Sequence, residues 1–154
     1  MTPLLQSLHQ LFIRDLNKLE SEVNLYSIDE LLWIINGEIK NPAGNLCLHL
    51  CGNLQHYIGA VLGNSGYVRD REKEFSTRGI SKDTLIIEIQ STKKALASTL
   101  PVLSNETLES IYPEKVFAEP MTTQYFLIHL LAHLSYHLGQ INYHRRLTNN
   151  TIHL

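Results

Sequence analysis

The stretch from Met121 to about Leu147 constrains the fold most. Apolar residues recur there every three or four positions, and His129, His133, His137 and His144 are set among them. At about 100° per residue, these four histidines and Gln140 share an arc of roughly 80° on a helix. Leu127, Leu131, Leu134, Leu138 and Ile141 flank the arc on one side, and Ala132, Tyr136 and Tyr143 on the other. The spacing predicts a helix capped by Thr122 or Thr123. Its histidine stripe is expected to face inward, because a stripe facing solvent would be richer in Lys and Glu.

The same periodicity runs through the rest of the chain, while period-two runs of β-branched residues are scarce. The class is therefore all-α. A first helix is expected from Pro3 to near Leu25, carrying Leu4, Leu5, Leu8, Leu11, Phe12, Leu16 and Leu19. Ser27–Glu30 resembles a capping box that opens a short turn through Leu32 and Trp33. A second long helix should follow Asn41-Pro42-Ala43-Gly44 and run to about Leu62, closed by Gly63–Gly66. Tyr67–Gly79, the most charged stretch, reads as a solvated loop. Ser81 caps a third helix that Pro101 ends near Leu100, and 104–119 is irregular with one short helical turn. In 154 residues this is most simply one domain, 1–154, built as a four-helix bundle.

Composition narrows the function classes. Hydrophobic residues at 44% and charged residues at 18% exclude a disordered chain. Thirteen Lys and Arg against fifteen Asp and Glu give a net charge of -2, so neither nucleic acid nor a membrane surface is an expected partner. Without a signal-like or membrane-spanning segment, the expected location is the cytoplasm. Cys47 and Cys51, four apart on a helix, suit a disulfide poorly and read as small buried residues in a reducing compartment.

The histidines are the unusual component. On the second helix Asn45, His49, Asn53 and His56 share a face, so two imidazole-bearing faces can meet. His133 and His137, one turn apart, can grip a common ion about 2.0–2.1 Å from each nitrogen; His129 and His133 are an equally legal pair. A third imidazole from another helix would complete a three-histidine set with an open position, as catalytic zinc uses. A carboxylate-bridged di-iron centre is disfavoured, because no Glu occurs from Met121 onward. His9 and His153 read as ordinary core histidines hydrogen-bonded to neighbours.

Two segments, Gly44–Ile58 with its His49 and the late His133-x3-His137-Leu-Gly-Gln140, resemble the DinB and YfiT-like superfamily, and the resemblance spans essentially the whole chain. It implies an up-down-down-up four-helix bundle, usually a homodimer, whose metal is held by one histidine of the second helix and two of the fourth. Those positions fall on His49, His133 and His137, with His129 as a flanking residue and His56 able to replace His49 under a shifted register. Leu138 stands where many relatives carry Arg, so an anionic group would need another partner, for which Arg69 and Arg71 are candidates.

Some relatives resemble metal-dependent transferases or isomerases that use a low-molecular-weight thiol. The expectation is therefore a divalent ion, zinc or nickel first, activating a thiol toward a small-molecule substrate. Metal-dependent hydrolysis and a non-catalytic metal-binding or structural role are the alternatives. Asn53, His56, Gln140 and His144 would orient ligands or relay protons. Apolar surplus on the first two helices would supply the homodimer interface.

Overall fold

The computed structural model describes residues 1–150. Helix α1 (Pro3–Asn24) begins where Thr2 Oγ1 accepts the Leu5 amide at 3.2 Å, with Pro3 in the first turn, where a backbone donor is dispensable. It buries Leu5, Leu8, Phe12, Leu16, Leu19 and Val23 as one stripe. A 3-10 turn, Asp29–Trp33, delivers Trp33 onto the start of α2 (Ala43–Leu54), where a Cβ on Gly44 would come within 2.6 Å of the Trp33 ring. Every residue of α2 except Leu48 is buried, so its Asn45, His49 and Asn53 face is enclosed by neighbouring elements along with its apolar side chains.

The second helix does not run straight to Leu62. It widens into a π-helical segment, Gln55–Ala60, in which the amides of Val61 and Gly63 reach back to His56 and Ile58 carbonyls at 3.0 Å. Asn64 and Gly66, with φ of 50° and 76°, then turn the chain. The expected solvated loop is also only partly so: within it Asp70 caps a short helix, α3 (Arg71–Ser76), that lies against α2. Asp70, Arg71, Glu72 and Lys73 are exposed, whereas Glu74 is buried and Arg69 half-buried.

Helix α4 (Lys82–Thr99) starts at the Ser81 cap and buries Leu85, Ile89, Thr92 and Leu96. Pro101 does not stop the chain at once but sits in a 3-10 turn, Leu100–Val102. After α5 (Asn105–Glu109), hydrogen bonds donated by the backbone N–H of Tyr112 to Met121 O and of Thr123 to Ser110 O, both 2.9 Å, close the following loop. Helix α6 (Thr123–Asn150) passes the expected end at Leu147. No β-strand forms among the described residues, so the class is all-α. Nor, among them, is any helix long and apolar enough to cross a membrane.

α1 packs on α4 and α6, and α2 packs on the same two helices. Polar ties fix the rotation of α6: Ser135 Oγ donates to Asp15 Oδ2 at 2.6 Å, and Asn142 and Arg145 donate to the Glu22 carboxylate at 2.7 and 2.5 Å. With that rotation Leu127, Leu134, Leu138 and Ile141 enter the core, while Tyr136 and Tyr143 stay 65% and 67% exposed. The histidine stripe therefore lies on the boundary between core and solvent rather than facing inward. His129, His133 and His137 are half-buried, Gln140 is exposed and His144 is buried. Leucine and phenylalanine already fill the centre, leaving the edge to the imidazoles.

Several other expectations are resolved. Cys47 and Cys51 are free and buried, and contact with Cys51 together with burial pushes the Cys47 thiol well up. The apolar residues of α1 and α2 are largely used inside the chain, and exposed ones gather on α6 at Tyr125, Ile128, Tyr136, Tyr143 and Leu147. The buried Nε2 of His9 has no hydrogen-bond partner, contrary to expectation, and His153 lies outside the described residues.

Candidate metal centre

His49 sits in the middle of α2, and His133 and His137 stand one turn apart on α6, the helix that packs across it. Ring centroids are 5.0 Å apart for His49 and His133, 5.4 Å for His49 and His137, and 4.5 Å for His133 and His137. One ring nitrogen of each lies within 4.8 Å of the others, so the three can hold a metal ion. The Nε2 atoms of His49 and His133 approach to 3.2 Å. Two nitrogens bound tetrahedrally to one zinc at about 2.0–2.1 Å would stand about 3.3 Å apart, so this pair already has the spacing of two ligands on one ion.

The protonation states suit the same role. Burial, with the nearby His137 and His49, pushes His133 down to about 3, and burial lowers His137 although Gln140 opposes the shift. Both rings are therefore neutral at pH 7 and keep a lone pair. His137 Nδ1 donates to Gln140 Oε1 at 2.6 Å, because an amide oxygen can only accept, and this leaves its Nε2 bare. His133 Nδ1 is buried without a partner. A set of neutral imidazoles with one nitrogen already paired and another left over fits an imidazole-preferring divalent ion.

Charge approaches from the short helix. Arg69 binds the Glu74 carboxylate through Nε at 2.8 Å and Nη2 at 3.0 Å, and its Nη2 also reaches His49 Nδ1 at 3.4 Å. Glu74 Oε2 lies 3.7 Å from the same nitrogen, just beyond a hydrogen bond. Asn45 secures this helix by donating to the Glu74 and Thr77 carbonyls at 2.9 and 2.8 Å. Gly52, one turn on from His49, makes the space: a Cβ there would fall 2.4 Å from Glu74 Oε1. Of the two arginines, Arg69 reaches the cluster, and Arg71 instead covers the Phe75 ring at 5.3 Å.

The other candidates take separate places. His56 pairs at the surface with Glu114 at 2.9 Å, and His129 packs against Phe117 and Phe126, so neither joins the group. His144 has both nitrogens in use: Nε2 donates to Ile34 O at 2.9 Å and Nδ1 accepts from the Tyr26 hydroxyl at 2.7 Å. Asn53 is buried on the His49 face with Oδ1 unpartnered, and Gln140 holds His137 as described. A cavity of about 570 Å³ opens beside His137, lined by Lys40, Leu46, Tyr136, Gln140, Tyr143 and His144 among others. Sequence reasoning missed Glu74, which it placed in a loop. The available signal was Gly52, a residue without a side chain one turn on from His49.

A family model described as "Protein of unknown function (DUF1572)" matches residues 2–153. No curated protein matches the sequence. A crystal structure of a conserved protein from Enterococcus faecalis is similar, with a TM-score of 0.77 at 16% identity, covering 96% of this chain and 98% of the other. At that identity the likeness concerns the fold.

Proposed function

The chain belongs to the DUF1572 family, and we propose that it is a divalent-metal protein of DinB-like, up-down-down-up four-helix architecture that acts on a small molecule through His49, His133 and His137. The observation that carries this is the 3.2 Å approach of two imidazole Nε2 atoms from different helices, with a third imidazole one turn away. An ion held by three neutral donors keeps a coordination position for an outside group and lowers the pKa of a hydroxyl or thiol brought to it.

The chain's own residues favour a nucleophile from outside. Both cysteines are buried out of reach of an outside substrate, and Cys47 is held firmly as a thiol. The cavity beside His137 has the volume of a small-molecule site, with tyrosine walls for an apolar body and Gln140 for a polar contact. Transfer from a low-molecular-weight thiol to an electrophilic substrate is the chemistry we place first, with zinc or nickel as the ion.

The test is elemental analysis of untagged protein beside a His49→Ala/His133→Ala/His137→Ala variant. It is followed by thiol-consumption assays with glutathione or bacillithiol and an electrophilic acceptor. Near-stoichiometric metal in the wild type, lost in the variant, is expected. Metal retained by the variant would remove the assignment. Metal binding without thiol consumption would leave a metal protein and sink the transfer reaction.

A further inference from the structure

An imidazole that binds a metal through one nitrogen carries its proton on the other, and that N–H is normally given to an oxygen which fixes the ring. His137 already has such an oxygen in Gln140. His49 has one close by, because Glu74 Oε2 stands 3.7 Å from its Nδ1. His133 has none in contact: its Nδ1 is buried and unpartnered. A buried N–H left without an acceptor loses its bond to water and gains none in return, so its persistence calls for an explanation.

The structure contains an acceptor with the complementary deficit. Asn53 Oδ1 is also buried and unpartnered, on a residue only 8% exposed. Contacts at either side place it along the interface. One turn before Asn53, His49 meets His133; one turn after it, Tyr57 meets Phe126, each pair with centroids 5.0 Å apart. Asn53 therefore lies opposite the turn of α6 between Phe126 and His133. An unpartnered amide oxygen and an unpartnered imidazole nitrogen therefore lie about one turn apart along the same pair of packed helices.

We infer that Asn53 is a positioning residue for the metal, its Oδ1 accepting the Nδ1–H of His133 as Gln140 does for His137 and Glu74 for His49. This rests on the metal reading above and deepens it: each imidazole draws its outer oxygen from a separate residue, and all three rings then present Nε2.

The metal-free contacts define what must change. A guanidinium can only donate, so the Arg69 contact makes His49 Nδ1 an acceptor and puts the His49 proton on Nε2, directed at His133 Nε2. Binding an ion removes that Nε2 proton. His49 then needs its proton on Nδ1, where Glu74 is the oxygen within reach and Arg69 must withdraw. His133 keeps its proton on Nδ1 throughout, and Asn53 becomes its partner once the Nε2 atoms are drawn to a common point.

The test is zinc titration of the full chain against a chromophoric chelator for wild type, Asn53→Leu and Asn53→Asp, with long-range 15N–1H NMR of the histidine rings. Asn53→Leu, close in shape but without the acceptor, is expected to weaken zinc binding about 10–100-fold. Asn53→Asp, which restores an oxygen, should stay within a few-fold of wild type. In zinc-loaded wild type, His49, His133 and His137 should all carry the proton on Nδ1. Equal affinity of the wild type and Asn53→Leu, or a zinc-loaded His133 with its proton on Nε2, overturns the inference while leaving the metal site standing. No zinc binding by wild type would overturn both. The NMR readout needs only wild-type protein, so it decides the matter even if a variant fails to fold.

Discussion

Two histidines of α6 about two turns apart, His137 and His144, are used by the structure in opposite ways. His144 is 4% exposed and fully paired: its Nε2–H goes to the Ile34 carbonyl and its Nδ1 takes the Tyr26 hydroxyl, so α6 is tied to the segment after α1. His137 and His133 are half-buried, and together with His49 they present nitrogens chiefly to one another. A paired imidazole adds stability and gives up chemistry. An under-paired one does the reverse, since its lone pair is kept for something outside the chain. Residue type and helix are the same in the two regions, so the difference comes from how deeply each ring lies and what stands opposite it.

The sharpest way to break this comparison is His133→Ala. Zinc affinity should fall by at least about 100-fold, more than the loss of an outer partner. Thermal stability of the metal-free protein should hold or rise, because a buried unpaired nitrogen is removed. Calorimetry with and without zinc reads both, and a strongly destabilised metal-free variant would put His133 in the same class as His144.

His144→Ala should do the opposite. It leaves the Tyr26 hydroxyl and the Ile34 carbonyl without partners and opens a gap, at about 2–4 kcal/mol in chemical denaturation. Zinc affinity should stay within a few-fold of wild type. A large loss of affinity at unchanged stability would move His144 into the metal centre.

Acidification reads both regions at once. Burial lowers His133, His137 and His144, with His133 brought to about 3. A histidine lowered by folding is neutral in the native state while the unfolded chain takes up a proton near 6.5, so its stabilising effect is complete above about pH 6.5 and declines as pH falls toward the folded value. Metal-free protein should therefore lose stability below about pH 6.5. The loss should be shallower in His133→Ala/His137→Ala, as urea midpoints across pH 4–8 would show. An unchanged slope would remove the cluster as its source.

The smallest expected effect comes from Gly52→Ala. Alanine gains up to about 1 kcal/mol in helix propensity, but its Cβ would crowd the buried Glu74 carboxylate and disturb the Arg69 pair. Net stability should change by under about 1 kcal/mol, while zinc affinity drops several-fold as Glu74 leaves His49. Unaltered affinity would mean that Glu74 serves only Arg69.

The fold was legible to different depths. Apolar spacing, Pro3 and the Ser81 cap located α1, α4 and α6 to within a few residues, because a stripe facing a core, a proline in a first turn and a hydroxyl at an amide each leave a local imprint. The π-helical turns at Gln55–Ala60 left no such imprint, and α3 was hidden by its charges. In the candidate site, helical geometry put His133 and His137 on one face, and the family resemblance selected His49. Neither indicated that Glu74 would be buried beside His49, since a charged residue among five others gives no sign of which one turns inward.

The sequence by itself determined the helical class and the direction of each histidine around its own axis, because 3.6 residues per turn fix both. Only the tertiary structure decided which ring is satisfied and which is not. Whether a hydroxyl, a carbonyl, a guanidinium or another imidazole arrives opposite a given nitrogen depends on how separate helices pack, and hydrogen bonding acts over about 3 Å, a precision that residue spacing does not carry.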